Sequence, residues 1–307
     1  MTTHRSNSMK VEVYTVDAFT DKAFSGNPAA VIPLMQPLDE ETQQQVAAEL
    51  NLSETAYVIP TSLEVTDTSD PWHTHGRFSL RWFTPTNEVP LCGHATLATA
   101  YVLFHCLGNI KEQIEFETLS GVLVARREGS HIVLDFPSNP PRPLTQEEEV
   151  ALTSLVKATA GDLKVEQVQL SPTTKKLLVR LNHSCTRQQL EALRPDPSSL
   201  LTHHNGSLVK GIILTLKGEL TGKDKGPPGY HCFSRYFAPW NGIPEDPVTG
   251  SAHTVLGPYW SQELQTTTLS CRQVSQRGGD VVVRVRDDGR VDLSGLAINV
   301  LEGWLHL

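Results

Sequence analysis

A ten-residue pattern occurs twice in this chain, half a chain apart. Arg81-Trp82-Phe83-Thr84-Pro85-Thr86-Asn87-Glu88-Val89-Pro90 returns as Arg235-Tyr236-Phe237-Ala238-Pro239-Trp240-Asn241-Gly242-Ile243-Pro244. Arg, Phe, Pro, Asn and Pro keep their spacing, and an aromatic stands second in both copies. Each copy is followed by a glycine that opens a helix-like run, Cys92-Gly93-His94-Ala95 and Thr249-Gly250-Ser251-Ala252. One motif placed alike in each half of a 307-residue chain predicts a duplicated domain. Two equivalent loop-to-helix turns can face each other across one cleft. Each would aim a helix N-terminus at it, and bound anions favour such sites.

The length fits two domains on the usual prior of about 100–200 residues each. With 39% hydrophobic and 20% charged residues, the chain can bury two cores. A net charge of −8 with no Lys/Arg cluster argues against a nucleic-acid surface. There is no apolar run of about 18 residues, so no membrane-spanning helix is expected. Met1 to Ser8 is polar without an apolar centre, which does not read as a signal peptide, and Met9 marks the expected start of the folded part. The five cysteines, Cys92, Cys106, Cys185, Cys232 and Cys271, include no Cys-x-x-Cys. An odd count without that spacing speaks against a disulfide framework or a structural zinc site, and fits a reducing cytoplasm.

Alternating patterns predict strands at Val11 to Ala18, Ala30 to Pro33, Thr55 to Ile59 and Arg77 to Phe83, with a helix over Glu40 to Leu50 capped by Asp39. Thr61 to Gly76 is polar and reads as a surface excursion. Gly93 to Leu107 is a helix apolar almost all round, as a helix buried on every side must be. Strands follow at Gln113 to Thr118, Val122 to Arg127 and His131 to Phe136. Pro137 to Pro143 holds four prolines and is the best linker candidate, which gives domains of residues 9–136 and 137–307, with the final strand 296–307 a candidate to return to the first. The second half repeats the scheme, with its apolar helix starting at Gly250 and interrupted by Gly257-Pro258. No strand–helix alternation of the Rossmann kind and no Gly-x-Gly-x-x-Gly or P-loop is evident. Each half is therefore an α+β arrangement of mostly antiparallel strands, most economically a curved sheet wrapped around its apolar helix.

Glu54 lies between a helix end and an apolar strand. Alone it reads as a solvated carboxylate; partly buried at that junction it would be an acid/base group. Cys92 at a helix start is expected to be acidified, although a small buried cysteine is an equal reading. His94 is the stronger candidate, because a polar residue in the first turn of an apolar helix needs a reason. Asp246 and Ser251 in the second turn are by default turn and capping residues. His73, His75, His203 and His204 lack Cys or carboxylate partners at ligand spacing and read as exposed loop histidines.

Taken together, Asp17-Ala18-Phe19, Gly26-Asn27-Pro28-Ala29-Ala30-Val31, Ser53-Glu54-Thr55, Phe83-Thr84-Pro85, Cys92-Gly93-His94-Ala95-Thr96, Asp246-Pro247-Val248-Thr249-Gly250-Ser251-Ala252-His253 and Gln276-Arg277-Gly278-Gly279 resemble the PhzF-like family, relatives of diaminopimelate epimerase and proline racemase. The resemblance runs in order from about Val11 to the C-terminus. It implies two pseudo-symmetric epimerase-like domains, each a barrel-like antiparallel sheet around a central helix, with the active site between them. It implies no metal, no organic cofactor and a small carboxylated substrate, and it is compatible with a homodimer. Carried over by residue, it implies Glu54 as the group that moves a proton between two carbons, with His94 and Asp246 as catalytic partners. Asn27, Gly93, Gly250 and Ser251 would bind substrate. Two-base epimerases of this fold use a cysteine at each helix start; here Thr249 stands opposite Cys92 in the repeat. A threonine hydroxyl is a far weaker base than a thiolate, which disfavours a paired-thiol mechanism.

The leading expectation is a cofactor-independent isomerase. A non-catalytic binding or scaffold protein on an inherited isomerase fold is the alternative. A cysteine hydrolase through Cys92 ranks last, because no separately oriented histidine is evident.

Overall fold

A computed structural model describes residues 9–61, 70–218 and 229–307. The expectations for residues 1–8 and for the 62–69 part of the polar excursion lie outside the described residues. The chain divides into two units: Met1–Leu134 with Gly295–Leu307, and Asp135–Ser294.

The first unit contains β1 (Lys10–Ala18), β2 (Asn27–Pro33), α1 (Glu40–Leu50), β3 (Glu54–Pro60), α2 (Pro71–Thr74), β4 (Arg77–Phe83), β5 (Glu88–Val89), α3 (Gly93–Tyr101), β6 (Gln113–Thr118), β7 (Gly121–Glu128) and the start of β8 (His131–Pro137). The second contains β9 (Arg142–Pro143), α4 (Gln146–Ala160), β10 (Val165–Ser171), β11 (Lys176–Leu181), α5 (Arg187–Ala192), α6 (Pro197–His203), β12 (Gly211–Lys217), β13 (Cys232–Ala238), β14 (Ile243–Asp246), α7 (Gly250–Leu264), β15 (Thr268–Gln273), β16 (Gly279–Val285) and β17 (Arg290–Gly295). The last strand, β18 (Ala297–His306), pairs antiparallel with β1 in the first unit.

The two ladders run in the same order with the same senses. In the first unit β1–β2 is antiparallel, β2–β3 parallel, β3–β4 and β4–β5 antiparallel, β4–β6 parallel, and β6–β7–β8 antiparallel. In the second, β10–β11 is antiparallel, β11–β12 parallel, β12–β13 and β13–β14 antiparallel, β13–β15 parallel, and β15–β16–β17 antiparallel. The sheets are thus predominantly antiparallel, as expected, but each carries two parallel pairs. Parallel neighbours cannot be joined by a tight turn and need a crossover, usually helical. That is where the helices sit: α1 joins β2 to β3 and α3 joins β4 to β6, while α5 with α6 and then α7 do the same in the second unit. These crossovers do not make a strand–helix alternation of the Rossmann kind, because antiparallel hairpins separate them.

α3 packs against β1, β2, β3, β7 and β18, and every residue from His94 to Ala100 is buried. This is why the segment can be apolar all round. The expected helix to Leu107 instead changes at Val102 to a π-helical turn through Cys106, where the Leu107 N–H donates to the Val102 carbonyl. In the second unit α7 packs against β11, β15 and β16. The expected interruption at Gly257-Pro258 is absent, since α7 is continuous through Pro258. Proline lacks the N–H that would serve the carbonyl four residues back. That carbonyl, of Thr254, accepts instead from the Asn139 N–H at 3.0 Å. The proline-rich stretch thus supplies the donor that the helix has lost. Gly257 lets α7 approach β16, because a side chain there would meet Val283 at 2.6 Å.

The repeated ten-residue pattern has a structural meaning. In both copies the arginine grips a glutamate on the returning strand with two bonds. Arg81 Nε and Nη2 donate to Glu88 at 2.7 Å each, and Arg235 does the same to Glu245, also at 2.7 Å. In both copies the same arginine lies over the phenylalanine two residues on, Phe83 and Phe237. This clamp fixes the loop that delivers the chain to each central helix.

Candidate active site

In the first unit three segments converge. β2 begins at Asn27, β3 begins at Glu54, and the loop after β5 feeds Cys92 and Gly93 into α3. The parallel register sets Ala29 beside Glu54, so the ends of β2 and β3 lie level. His94, the second residue of α3, stands among them. Its Nε2 is 3.0 Å from Glu54 Oε2, and its Nδ1 is 3.1 Å from Asn27 Nδ2 and 3.5 Å from Cys92 Sγ. Ser53 Oγ donates to Asn27 Oδ1 at 3.4 Å. Glu54, His94, Asn27 and Cys92 are all buried.

The Glu54–His94 approach is short but lies off the hydrogen-bonding direction, so Glu54 Oε2 and His94 Nε2 are both buried without a hydrogen bond among the described residues. An unsatisfied buried polar atom is costly, and a facing pair of them points to a ligand group that would complete both. Burial works against the His94 imidazolium, but its neighbours Cys92 and Glu54 override it and push its pKa well above the ordinary value. As an imidazolium His94 needs an acceptor at Nδ1. Turning the Asn27 amide over provides Oδ1 there, and Ser53 Oγ can then accept from Asn27 Nδ2.

Cys92 corrects a sequence expectation. A thiol at a helix start was expected to be acidified; burial and then the Glu54 charge push its pKa up instead. The Cys92 thiol is therefore protonated at neutral pH.

The second unit arranges the corresponding turn differently. Thr249 caps α7, and its hydroxyl donates to Asp246 Oδ2 at 2.6 Å while accepting from Gln273 Nε2 at 3.3 Å. Gln273 also accepts from the Thr249 N–H at 2.9 Å and donates to the Asp246 carbonyl at 2.6 Å. The Thr249 hydroxyl is thus tied into a local network, its proton given to Asp246 and one lone pair taken by Gln273. His253, one turn on, donates Nδ1–H to the Thr249 carbonyl at 2.7 Å, and burial lowers its pKa to about 4. Lys176 is buried and its amine lies 5.7 Å from the Tyr236 ring centre. Burial lowers the Lys176 pKa to about 8, with the Asp246 charge acting in the other direction. Gly211 is its partner across the parallel pair, and a side chain at Gly211 would meet the Tyr236 hydroxyl at 2.1 Å.

Of the residues expected from sequence, Glu54, His94, Asn27 and Gly93 come together in the first unit. Asp246, Gly250 and Ser251 belong to the second, where Gly250 and Ser251 open α7. Sequence reasoning missed Gln273 and Lys176. Gln273 lies at a strand end 27 residues beyond Asp246, with no local pattern to mark it. Lys176 at the first position of a strand reads as a solvated residue. His73 and His75 fall in and after the short helix α2, and His203 and His204 at the end of α6. None of the four belongs to a group of three or more candidate metal ligands among the described residues. No helix among the described residues is long and apolar enough to cross a membrane.

Comparison with known proteins agrees with this architecture. The profile of the PhzC-PhzF family, described as phenazine biosynthesis-like protein, matches residues 16–303. The phenazine biosynthesis-like domain-containing protein of Bos taurus is 49% identical over 297 residues, covering 97% of this chain and 99% of that protein. A Pseudomonas aeruginosa protein named as an uncharacterized isomerase is 40% identical over 299 residues, covering 97% of this chain and 100% of its own. The crystal structure of a PhzF-family protein from Enterococcus faecalis superposes with a TM-score of 0.78 at 36% identity, covering 97% of this chain and 100% of that one. The α+β, epimerase-like fold expected from the resemblance is the fold of this chain, and the chain belongs to the phenazine biosynthesis-like (PhzC-PhzF) protein family.

Proposed function

We propose that this protein is an isomerase that works with its own side chains, moving one proton between two carbons of a small, cyclic or unsaturated carboxylated metabolite. The observation that carries the reading is the buried pair Glu54 Oε2 and His94 Nε2, 3.0 Å apart and both lacking a hydrogen bond among the described residues. The relatives named as isomerases, 40% and 39% identical, support the reaction class.

In the proposed sequence Glu54 takes a proton from a carbon next to an extended π-system. The electron pair of the broken C–H bond spreads over that system, and the His94 imidazolium stabilises the charge as it develops. Glu54–H then returns the proton to a second carbon on the same face, so the side chains end as they began. The N–H groups of the first turn of α3 have no intrahelical acceptors and would hold the substrate carboxylate, together with Asn27. Asp246, Gly250 and Ser251 are assigned to the same reaction on the family resemblance. A protonated Cys92 thiol and an occupied Thr249 hydroxyl support a single base over a pair. Duplication of an ancestral unit, a cytoplasmic location and a homodimer are parts of the same proposal.

The test is a panel of cyclic and unsaturated carboxylic acids incubated with the protein in deuterium oxide and followed by mass spectrometry. An isomerised product that keeps part of the substrate hydrogen supports a shielded one-base shuttle. Full incorporation of solvent deuterium in every product would point to two bases. Saturable binding without turnover of any acid would favour the binding-protein alternative.

A further inference from the structure

We infer that the start of α3 is also a binding site for a thiophilic divalent cation of the zinc type, held by Cys92 Sγ, His94 Nδ1 and Asn27 Oδ1. Among the described residues, Glu54, Cys92 and His94 are the only group of three candidate ligand residues, with donor atoms within 4.8 Å of one another, and all three are buried. The geometry decides which atoms bind. One histidine nitrogen serves one ion. Tetrahedral zinc, with Zn–S about 2.3 Å and Zn–N about 2.0–2.1 Å, sets those two ligands about 3.5 Å apart. Cys92 Sγ and His94 Nδ1 are 3.5 Å apart. An oxygen ligand would stand about 3.4 Å from the same nitrogen. The Asn27 amide is 3.1 Å from it, and turning that amide over presents its oxygen.

Glu54 is on the other side of the ring, 3.0 Å from His94 Nε2. A metal-binding histidine usually gives its second N–H to a carboxylate, which fixes the tautomer and strengthens the ligand. Cys92, His94 and Glu54 already stand in that order. Binding replaces the thiol proton: the S–H bond breaks, the S–metal bond forms, and the proton leaves to solvent with no change of oxidation state. Zinc and cadmium are therefore the chemical class expected, and calcium or magnesium, which take hard oxygen ligands, are not.

The consequence for function rests on the isomerase reading. The ion would occupy His94 and draw Glu54 onto Nε2, so zinc would inhibit and a chelator would restore activity. The site itself does not rest on that reading, and it can be tested without substrate.

The experiment is titration of the full chain with zinc by calorimetry and with cadmium by ultraviolet absorption, where a thiolate-to-cadmium band reports a sulfur ligand. One equivalent should bind, with the band present in the unaltered protein and in Cys106→Ala but absent in Cys92→Ala. Glu54→Gln should keep the band and weaken binding about 10–100-fold, as loss of a carboxylate behind a histidine ligand does. A cadmium-113 resonance of the unaltered protein typical of one sulfur ligand would support the site even if Cys92→Ala folds poorly. A band that survives Cys92→Ala but vanishes in Cys271→Ala would put the ion at the facing Cys232–Cys271 pair and overturn the assignment. So would the absence of stoichiometric binding. Neither result bears on the proton shuttle, and inactivity toward every acid tested would leave the metal result standing.

Discussion

In the first unit the parallel pair Ala29–Glu54 sets a carboxylate beside His94 at the start of α3. In the second unit the pair at the same place in the ladder is Lys176–Gly211, which carries an amine and no acid. The strand order, the arginine clamp and the central helix recur. The residues at the helix starts do not: Cys92 and His94 correspond to Thr249 and Ser251, and Thr96 to His253. The repeated residues are those that shape the loop, and the proposed chemistry lies in the residues that differ. A repeat therefore locates a site without saying what the site does.

The largest stability difference between the units is expected at the clamp. Arg235 is almost wholly buried and also donates to the Leu190 and Leu193 carbonyls, at 3.0 and 2.6 Å. Arg235→Ala should cost about 3–5 kcal/mol, because it strands Glu245 and two carbonyls. Arg81 is a third exposed, and its loss should cost about 1 kcal/mol. Urea denaturation of both variants measures this, and equal losses would contradict the comparison.

The pH dependence should run in opposite senses. His253 has a folded pKa of about 4 against an ordinary 6.5. A depressed histidine favours folding above its unfolded value, so this contribution is present above about pH 6.5 and is lost as the pH falls toward 4, on the order of 3 kcal/mol. His94 is raised instead. Its contribution is complete below about pH 6.5 and is lost as the pH rises through the elevated folded value. His253→Asn should flatten the acid side of the stability profile, and His94→Gln the alkaline side. A reversed pattern would refute the assignment.

A smaller effect should mark the second unit's departure from the first. Gly211→Ala places a methyl against Tyr236 and should cost about 1–3 kcal/mol by overpacking. Thermal denaturation would show it, and an unchanged midpoint would mean that the Lys176–Gly211 pair is not packed as described.

Much of this was legible because it is local. The Asp39 cap of α1, the apolar course of α3 and the repeated turns are written in neighbouring residues. What depends on register was not legible. Asn27 meets His94 across 67 positions, and Lys176 is buried only because Tyr236 and Gly211 lie where the strand pairing puts them. Pro258 reads as a helix break by every local rule, and only a distant N–H, from Asn139, removes the objection. Cys92 reads as an activated thiol from its helix start, and burial, then the Glu54 charge, reverses that.

The most direct test of the account is to assay Glu54→Gln and Cys92→Ala side by side on the acid that the deuterium oxide screen identifies. Glu54→Gln keeps the shape and polarity of the side chain and removes its proton transfer. Its kcat should fall at least about 100-fold while substrate binding is kept, the low end of general acid–base contributions. Cys92→Ala should cost less than about 10-fold, since a protonated thiol transfers no proton in the proposed sequence. A dead Cys92→Ala beside an active Glu54→Gln would contradict the account at its centre.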